Sequence, residues 1–352
     1  MKVGLIGFAG VGKTTLFSAL TGQVVETHSP GEKHVGQVEV VDRRLDHLRE
    51  IFKPRKFTRT RFEVEDLPAL PQGEVRGRGE LLSSLREPEA LILVVGAFEQ
   101  ARMTLNAALA DPLVQLQSLR DDLLLLDLEI AEKRLARIEE RFQKKPAERA
   151  GLEHERNYVA KVRQVLESGA TDLPEPEDKE EQRICGEMRL FLQKPRVSVF
   201  NLDEGFDSAV AGVQKMGETP FSAIVCATIE QEIAQIEGED RAVFLQEFGL
   251  QEPVAERMSR LAYEALNLIS FFTVGPDEVR AWPVKRDSSA VVAAGKIHTD
   301  LARGFIRAEV TSFDRIKDAS DEREYKNLSK SELKGKEYEV QDGDIIEIRS
   351  GV

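Results

Sequence analysis

The chain is poor in the residues that build covalently or metal-stapled folds. Its 352 residues hold two cysteines, Cys185 and Cys226, far apart and in no ligand or redox spacing. That excludes a disulfide framework and a cysteine-paired zinc site, and it points to a reducing compartment with free thiols. Long apolar runs are missing as well. ALILVVGAF at 90–98, the longest after the start, is less than half of the roughly 20 residues that span a bilayer. The opening MKVGLIGFAG is interrupted by Gly4, Gly7 and Gly10 and followed by Lys13, which is not the layout of a secretory signal. A cytoplasmic protein without a membrane partner is expected. Positive charge is in deficit, 49 Lys and Arg against 62 Asp and Glu, a net −13. No general affinity for nucleic acid or acidic lipid, and no DNA partner, is expected, although a local basic patch can serve one partner. At 41% apolar, a chain of this length has material for two or three cores.

What is present is glycine at telling positions. MKVGLIG reads as a short apolar strand, and FAGVGKTTLFSALTG as a turn that opens a helix; across them Gly7, Gly12, Lys13 and Thr14 satisfy G-x-x-x-x-G-K-[ST]. In that context the backbone N–H groups of residues 10 to 14 wrap a β-phosphate at a helix N-terminus. Lys13 reaches the β- and γ-oxygens, and the Thr14 hydroxyl ligates Mg²⁺. Side chains in the loop would block this approach, which is why glycine is needed there.

Further elements of such a fold follow in order. TRTRFEVEDL at 58–67 alternates and ends on Asp66, either a metal-sensing aspartate acting on Mg²⁺ through water or a surface residue of a strand-end turn. ALILVVGAF and RVSVFNLDE, at 90–98 and 196–204, are the apolar runs of buried parallel strands, so a doubly wound α/β domain is expected. The second run ends in Asn201-Leu202-Asp203-Glu204, where a guanine-specific protein carries Asn-Lys-x-Asp. With Leu202 for the lysine and the longer Glu204 for the aspartate, the guanine-reading geometry is lost and adenine is the better fit. An acidic turn without a base-reading role is the alternative.

From Leu116 to Leu166 the pattern is helical. Leu116, Leu119, Leu123, Leu126 and Ile130 form one stripe, and Leu128, Ala131, Leu135, Ile138 and Phe142 a second after a phase shift. KKPAERAG is the expected turn, and Leu152, Val159, Val162 and Leu166 line the return helix of an antiparallel arm. Residues 131–163 contain ten Lys and Arg against six Glu, which either contact RNA phosphates or form a solvated face of mixed charge. In the tail, EVRAWPV, a helix around SAVVAAGKIHTDLARG, the strand FIRAEV and a hairpin over KEYEVQDGDIIEIR predict a small α+β module. Its charge is near balance, 14 basic against 16 acidic residues, so nonspecific RNA affinity is not implied. Trp282 is expected in the core and His298 in a packing or capping role.

On these residues the chain resembles the YchF/Obg-like ATPase family of translation-factor-related P-loop NTPases. The resemblance runs along nearly the whole sequence. It is carried by VGKTTLFSALTG (11–22), VVDRRLDHLREIFKP (40–54), LREPEALILVV (85–95), the NLDE element, and above all FFTVGPDEVRAWPV and AAGKIHTDLARGFIRAEV. It implies a P-loop NTPase G domain over 1–112 and 179–270, an inserted helical arm over 113–178, and a C-terminal TGS domain of β-grasp type over 271–352. It further implies a slow, Mg²⁺-dependent NTPase, with ATP preferred over GTP, that works with the ribosome or ribosomal RNA through the arm and the TGS domain. A chain that binds nucleotide without hydrolysing it, or that prefers GTP, is the alternative.

Four departures from the family pattern lie near the chemistry. Gly10 replaces the asparagine associated with monovalent-cation stimulation. FEQARMTLNAALADP (98–112) lacks the family histidine. The first switch, VVETHSPGEKHVG, is short and offers Thr27 as a candidate. The family's D-x-A-G-L reads Asp66-Leu67-Pro68-Ala69-Leu70, so an alanine stands at the γ-phosphate sensor. The sensor N–H is retained with restricted φ and ψ, which predicts a weakened but intact contact. Candidate nucleotide contacts are Gly10, Val11, Gly12, Lys13, Thr14, Thr15, Asn201, Leu202, Glu204, Cys226 and Ala227. Lys13 and Asp66 are the catalytic candidates, and Thr14 and Asp66 the metal candidates.

Overall fold

A computed structural model describes residues 1–25, 33–73, 79–144, 149–205 and 221–351. Thr27 and residues 145–148, within the expected KKPAERAG turn, lie outside them. The strands, in chain order, are β1 (Lys2–Ile6), β2 (His34–Glu39), β3 (Lys56–Thr58), β4 (Arg61–Asp66), β5 (Ala90–Gly96), β6 (Arg196–Asn201), β7 (Ser222–Val225), β8 (Leu268–Thr273), β9 (Glu278–Lys285), β10 (Phe305–Ser312), β11 (Glu332–Lys334) and β12 (Asp344–Ser350). They form two six-stranded sheets. By packing, the chain groups into Met1–Gly36 with Glu63–Gln251, and Gln37–Phe62 with Glu252–Val352. Residues 37–62 and 252–270 therefore group with the C-terminal part.

The first sheet has the order β2-β4-β1-β5-β6-β7. The pairs β1–β4, β1–β5, β5–β6 and β6–β7 are all parallel. Every residue of β5 is buried, as the unbroken apolar run requires of a strand covered on both faces. β4 and β5 flank β1 on opposite sides, so the topological switch point falls at the carboxyl end of β1, where the glycine loop begins. This is the expected doubly wound P-loop architecture.

The arm is a pair of helices, Pro112–Lys144 and Arg149–Glu167. Proline is tolerated at the first helical position, and Asp111 precedes it and accepts from Leu113 N at 2.7 Å. Leu116, Leu119, Leu123, Leu126 and Ile130 are buried, as are Leu128, Ala131 and Ile138 of the second stripe and Leu152, Val159, Val162 and Leu166 of the return helix. Where the first helix passes the sheet, the buried Asp127 carboxylate accepts from Phe191 N at 2.7 Å and Leu192 N at 2.8 Å. Burial pushes its pKa up to about 7 against those two bonds and the nearby Arg196 and Lys194.

The second sheet is mixed, in the order β11-β10-β12-β8-β9-β3. β8–β9, β10–β12 and β10–β11 pair antiparallel, β12–β8 and β3–β9 parallel. Both faces are covered. Phe271 packs with Ala290, Ala293 and Ala294 of the helix Ala290–Ile297, while Phe272, its neighbour on β8, packs with Leu45, Leu48 and Ile51 of the helix Arg43–Phe52. Adjacent strand residues point to opposite faces, so each lands in a different core. The hairpin expected over KEYEVQDGDIIEIR does not form. Glu339 makes only an isolated bridge to Ser289, because β12 already has β10 and β8 as its two neighbours. No helix among the described residues is long and apolar enough to cross a membrane.

Candidate nucleotide site

The loop after β1 places its glycines where nothing larger fits. Gly10 and Gly12 have φ of 80° and 87°, in the left-handed region. A Cβ on Gly12 would stand 2.3 Å from Asn201 Nδ2, and one on Gly10 would stand 2.9 Å from Thr104 Cγ2. Gly10, where family members carry asparagine, thus lies beneath Thr104. The helix Lys13–Thr21 begins at once, and Leu16 N is the first donor to bond back, to Gly12 O at 2.9 Å. Among the described residues the N–H groups of Gly10, Val11, Gly12, Lys13, Thr14 and Thr15 bond to no protein acceptor. Six consecutive free donors at a helix N-terminus make an anion cradle.

Three side chains meet beneath it. Thr14 Oγ1 donates to Asp66 Oδ2 at 2.7 Å, and Lys13 Nζ lies 3.7 Å from Asp66 Oδ1. The Lys13 and Asp66 side chains are only 10% and 6% exposed. Burial pulls the Lys13 ammonium below the usual lysine range, opposed by the attraction of Asp66. Asp66 Oδ1 is buried without a hydrogen-bond partner. A hydroxyl beside an under-satisfied carboxylate is a donor set that fits a hard divalent cation. No cluster of three or more His, Cys, Asp or Glu among the described residues forms a protein-only metal site. Such a cation would complete its shell with phosphate oxygens and water, as Mg²⁺ does.

The chain after β4 runs on beside the loop. Leu67 N bonds to Leu5 O at 3.2 Å and Leu70 N to Gly7 O at 3.0 Å. Ala69 between them is exposed, its N–H has no partner among the described residues, and its φ is not positive. Alanine is therefore unstrained there, and its N–H is free among the described residues.

At the carboxyl ends of β6 and β7 the base-side candidates separate. Asn201 is buried, and both ends of its amide are used: Nδ2 donates to Val11 O at 3.2 Å and Oδ1 accepts from Ala227 N at 2.9 Å. It fastens the glycine loop to the turn at Cys226-Ala227, and that turn opens the helix Ala227–Gln235. Leu202 and Cys226 are 7% exposed. Glu204 is exposed and makes no bond to the described residues. Its neighbour Asp203 is the one held, accepting from Glu99 N at 2.9 Å.

The sequence reading missed several supports. Gln115 brackets Gly96, accepting from its N at 3.0 Å and donating to its O at 2.7 Å. Gln72 accepts from Asn106 N at 2.8 Å, tying the chain after Leu70 to the segment that lacks the family histidine. Neither belongs to a motif. The glutamine at 115 is legible only as a polar residue followed by the apolar stripe of the arm.

The family model described as "YchF-GTPase_C: Protein of unknown function (DUF933)" matches residues 268–350. The "Ribosome-binding ATPase YchF" of Bacillus subtilis is 34% identical over 367 residues, covering all of both chains. The chain belongs to the YchF family. Its counterpart of the same name in Haemophilus influenzae is 35% identical, covering 100% of this chain and 99% of the other. "Obg-like ATPase 1" of rice, Oryza sativa subsp. japonica, is 31% identical over 98% and 91%. Among solved structures, the "YchF GTPase" of Schizosaccharomyces pombe superposes with a TM-score of 0.80 at 26% identity, covering 99% of this chain and 97% of the other. The YchF likeness thus extends over both sheets and the arm.

Proposed function

We propose that this YchF-family chain binds ATP in preference to GTP with Mg²⁺, hydrolyses it slowly to ADP and phosphate, and acts with the ribosome in the cytoplasm. The observation that carries this reading is the buried Asp66 with the half-buried Lys13 and Thr14 set against it, beneath six N–H groups free among the described residues. In it, residues 10 to 15 hold the β-phosphate, Lys13 neutralises the β- and γ-oxygens, and Thr14 with Asp66 hold the cation, directly and through water. Bound there, Mg²⁺ supplies charge neutralisation between the phosphates. The free Ala69 N–H is the γ-phosphate sensor. Leu70, apolar and buried, offers no group to orient water, in keeping with slow turnover.

Support for adenine comes from the missing lysine at Leu202 and from the unengaged Glu204 carboxylate, which accepts hydrogen bonds from a base edge. The ribosome enters through the names of the relatives. A groove of about 400 Å³ along the arm, with Arg86, Lys133, Arg137 and Arg141 on its wall beside Glu155 and Glu187, suits RNA phosphates. The Schizosaccharomyces pombe structure is titled a GTPase, so GTP is the second reading.

Single-turnover phosphate release with protein in excess, from Mg-ATP and from Mg-GTP, tests both. Release from ATP that is lost in Lys13→Ala supports the proposal. Faster release from GTP overturns the base assignment, and intact bound ATP overturns hydrolysis.

A further inference from the structure

At the centre of the first sheet one strand stops short of its neighbour. β1 and β5 stay in register from Val3 with Ala90 to Ile6 with Leu93, and β1 then turns away into the glycine loop while β5 runs on to Gly96. On its other side β5 pairs with β6, where Leu91 N donates to Pro195 O at 3.0 Å and Ala97 N to Asn201 O at 2.7 Å. Alternate residues of a paired strand face opposite neighbours, so Gly96 turns its N–H and C=O toward the side that β1 has left. Gly96 is buried, and both groups need partners there.

Gln115 takes the place of the missing strand. It lies one turn into the helix Pro112–Lys144, fully buried, and its Oε1 accepts from Gly96 N at 3.0 Å while its Nε2 donates to Gly96 O at 2.7 Å. A side-chain amide offers both a donor and an acceptor, as a peptide unit does; a carboxylate or a hydrocarbon of the same size does not. The first turn of the arm is thereby written into the sheet.

Gly96 is also the floor of the phosphate loop. A Cβ on it would stand 3.2 Å from both Cα and Cβ of Val11, and 2.6 Å from Ala101 Cβ. Val11 is completely buried on this floor, and Asn201 Nδ2 holds its carbonyl oxygen at 3.2 Å. Its N–H is one of the six donors of the anion cradle that are free among the described residues. Contacts therefore run without a gap from the arm helix through Gln115 and Gly96 to Val11. The second fastening of the same helix, Asp127 on Phe191 N and Leu192 N, lies several turns further on and bears on the approach to β6 instead of the loop.

We propose that Gln115 is a positioning residue for the phosphate loop, through which the seating of the arm sets nucleotide affinity. Gln115 is no part of the donor cradle; it fixes Gly96, and with it the place of Val11 and the direction of the Val11 N–H. Without the amide, Gly96 is left with two unpaired backbone groups, the floor loosens, and the cradle loses part of its preorganisation. A partner that displaces the root of the arm acts on the loop by the same route, and by linkage a bound nucleotide holds the root in place. The proposal rests on the nucleotide reading of the glycine loop and goes beyond it by naming the residue that joins arm to loop.

The full chain is titrated with Mg-ADP by calorimetry, and phosphate release from saturating Mg-ATP is followed with protein in excess. Gln115→Leu keeps the size of the side chain and removes both bonds. It should weaken ADP about tenfold, while release at saturation stays within about threefold because Lys13, Thr14 and Asp66 are untouched. Gly96→Ala presses on Val11 with Gln115 in place, and a similar loss of affinity is expected. Asp127→Asn weakens the other fastening, so it should lower the urea midpoint as Gln115→Leu does but leave ADP affinity unchanged. Hydrogen exchange gives a further readout: ADP should slow the Gly96 N–H and the first turns of the arm helix in the unaltered chain, and not in Gln115→Leu. Full ADP affinity in Gln115→Leu, or equal losses in it and in Asp127→Asn, makes the amide merely structural and overturns the proposal. Should Gln115→Leu fail to fold, unchanged affinity in Gly96→Ala together with unchanged exchange at Gly96 overturns it as well. If the unaltered chain binds neither ADP nor ATP, the nucleotide reading falls and takes the proposal with it, whereas binding that ignores every substitution at 96 and 115 sinks the coupling alone.

Discussion

The phosphate end and the base end of the nucleotide site are built on different plans. At the phosphate end Asp66 is buried with the half-buried Lys13 and Thr14 already against it, and Gly10 and Gly12 of the loop above them are held in the left-handed conformation. At the base end the polar residue Asn201 is spent on backbone groups, and Glu204 alone of the NLDE element is both exposed and unengaged among the described residues. The first end is organised before any ligand arrives, so little ordering entropy remains to be lost on binding. In the proposed reading the second chooses a base through one solvated side chain, so its discrimination is expected to be modest. Affinity and specificity are thereby assigned to separate parts of one site.

Substitutions can break this contrast. Gly12→Ala should have the largest effect, because the new Cβ meets Asn201 at 2.3 Å and sits at φ of 87°. A strain of about 3 kcal/mol, or roughly 100-fold in ATP affinity, is expected by calorimetry. Wild-type affinity would show that the loop is not preorganised. Next, Asn201→Ala leaves Val11 O and Ala227 N unpaired, which should cost about 2 to 4 kcal/mol in urea unfolding and weaken both nucleotides alike. A selective loss of ATP would return Asn201 to base reading.

The remaining two sharpen the contrast. Glu204→Gln should lower the ATP to GTP affinity ratio by about tenfold or less, with fold stability unchanged, since an exposed group is altered. An unchanged ratio in competition binding would remove Glu204 from the site. Ala69→Gly is expected to change single-turnover phosphate release by no more than about threefold, because Ala69 already adopts an ordinary φ with its N–H free. A large acceleration would mean that the alanine does hold the sensor back.

How much of this was legible in the sequence depended on how local the cause was. The loop from Gly7 to Thr14 was readable because its spacing encodes the conformation of its own backbone. The arm was readable because each stripe repeats within one helix, and all its named apolar residues are buried except Leu135 and Phe142, which are half-buried. Asp66 was readable as the acid that ends an alternating strand. The double bond of Asn201 was not, since a buried amide and an exposed one look alike in a motif. Thr104 over Gly10 was equally hidden: the absence of a family histidine from 98–112 was visible, but not which residue fills the space. The Asp-Gly pair at 342–343 suggested a hairpin, yet Asp342 accepts from Ser270 N at 3.0 Å and Gly343 N bonds to Ser270 O at 2.8 Å. The turn serves a strand 70 residues away rather than its own neighbour.

By itself, then, the sequence determined a phosphate loop, a doubly wound sheet and a helical arm, because each follows from a periodicity or a turn whose energy is settled within about 20 residues. Only the tertiary structure decided where residues 37–62 belong. β3 is three residues long, too short to carry a pattern, and its partner β9 lies more than 200 positions on. The helix Arg43–Phe52 shows an apolar face but not which core will cover it. Pairing and burial at that range are chosen by the whole core together.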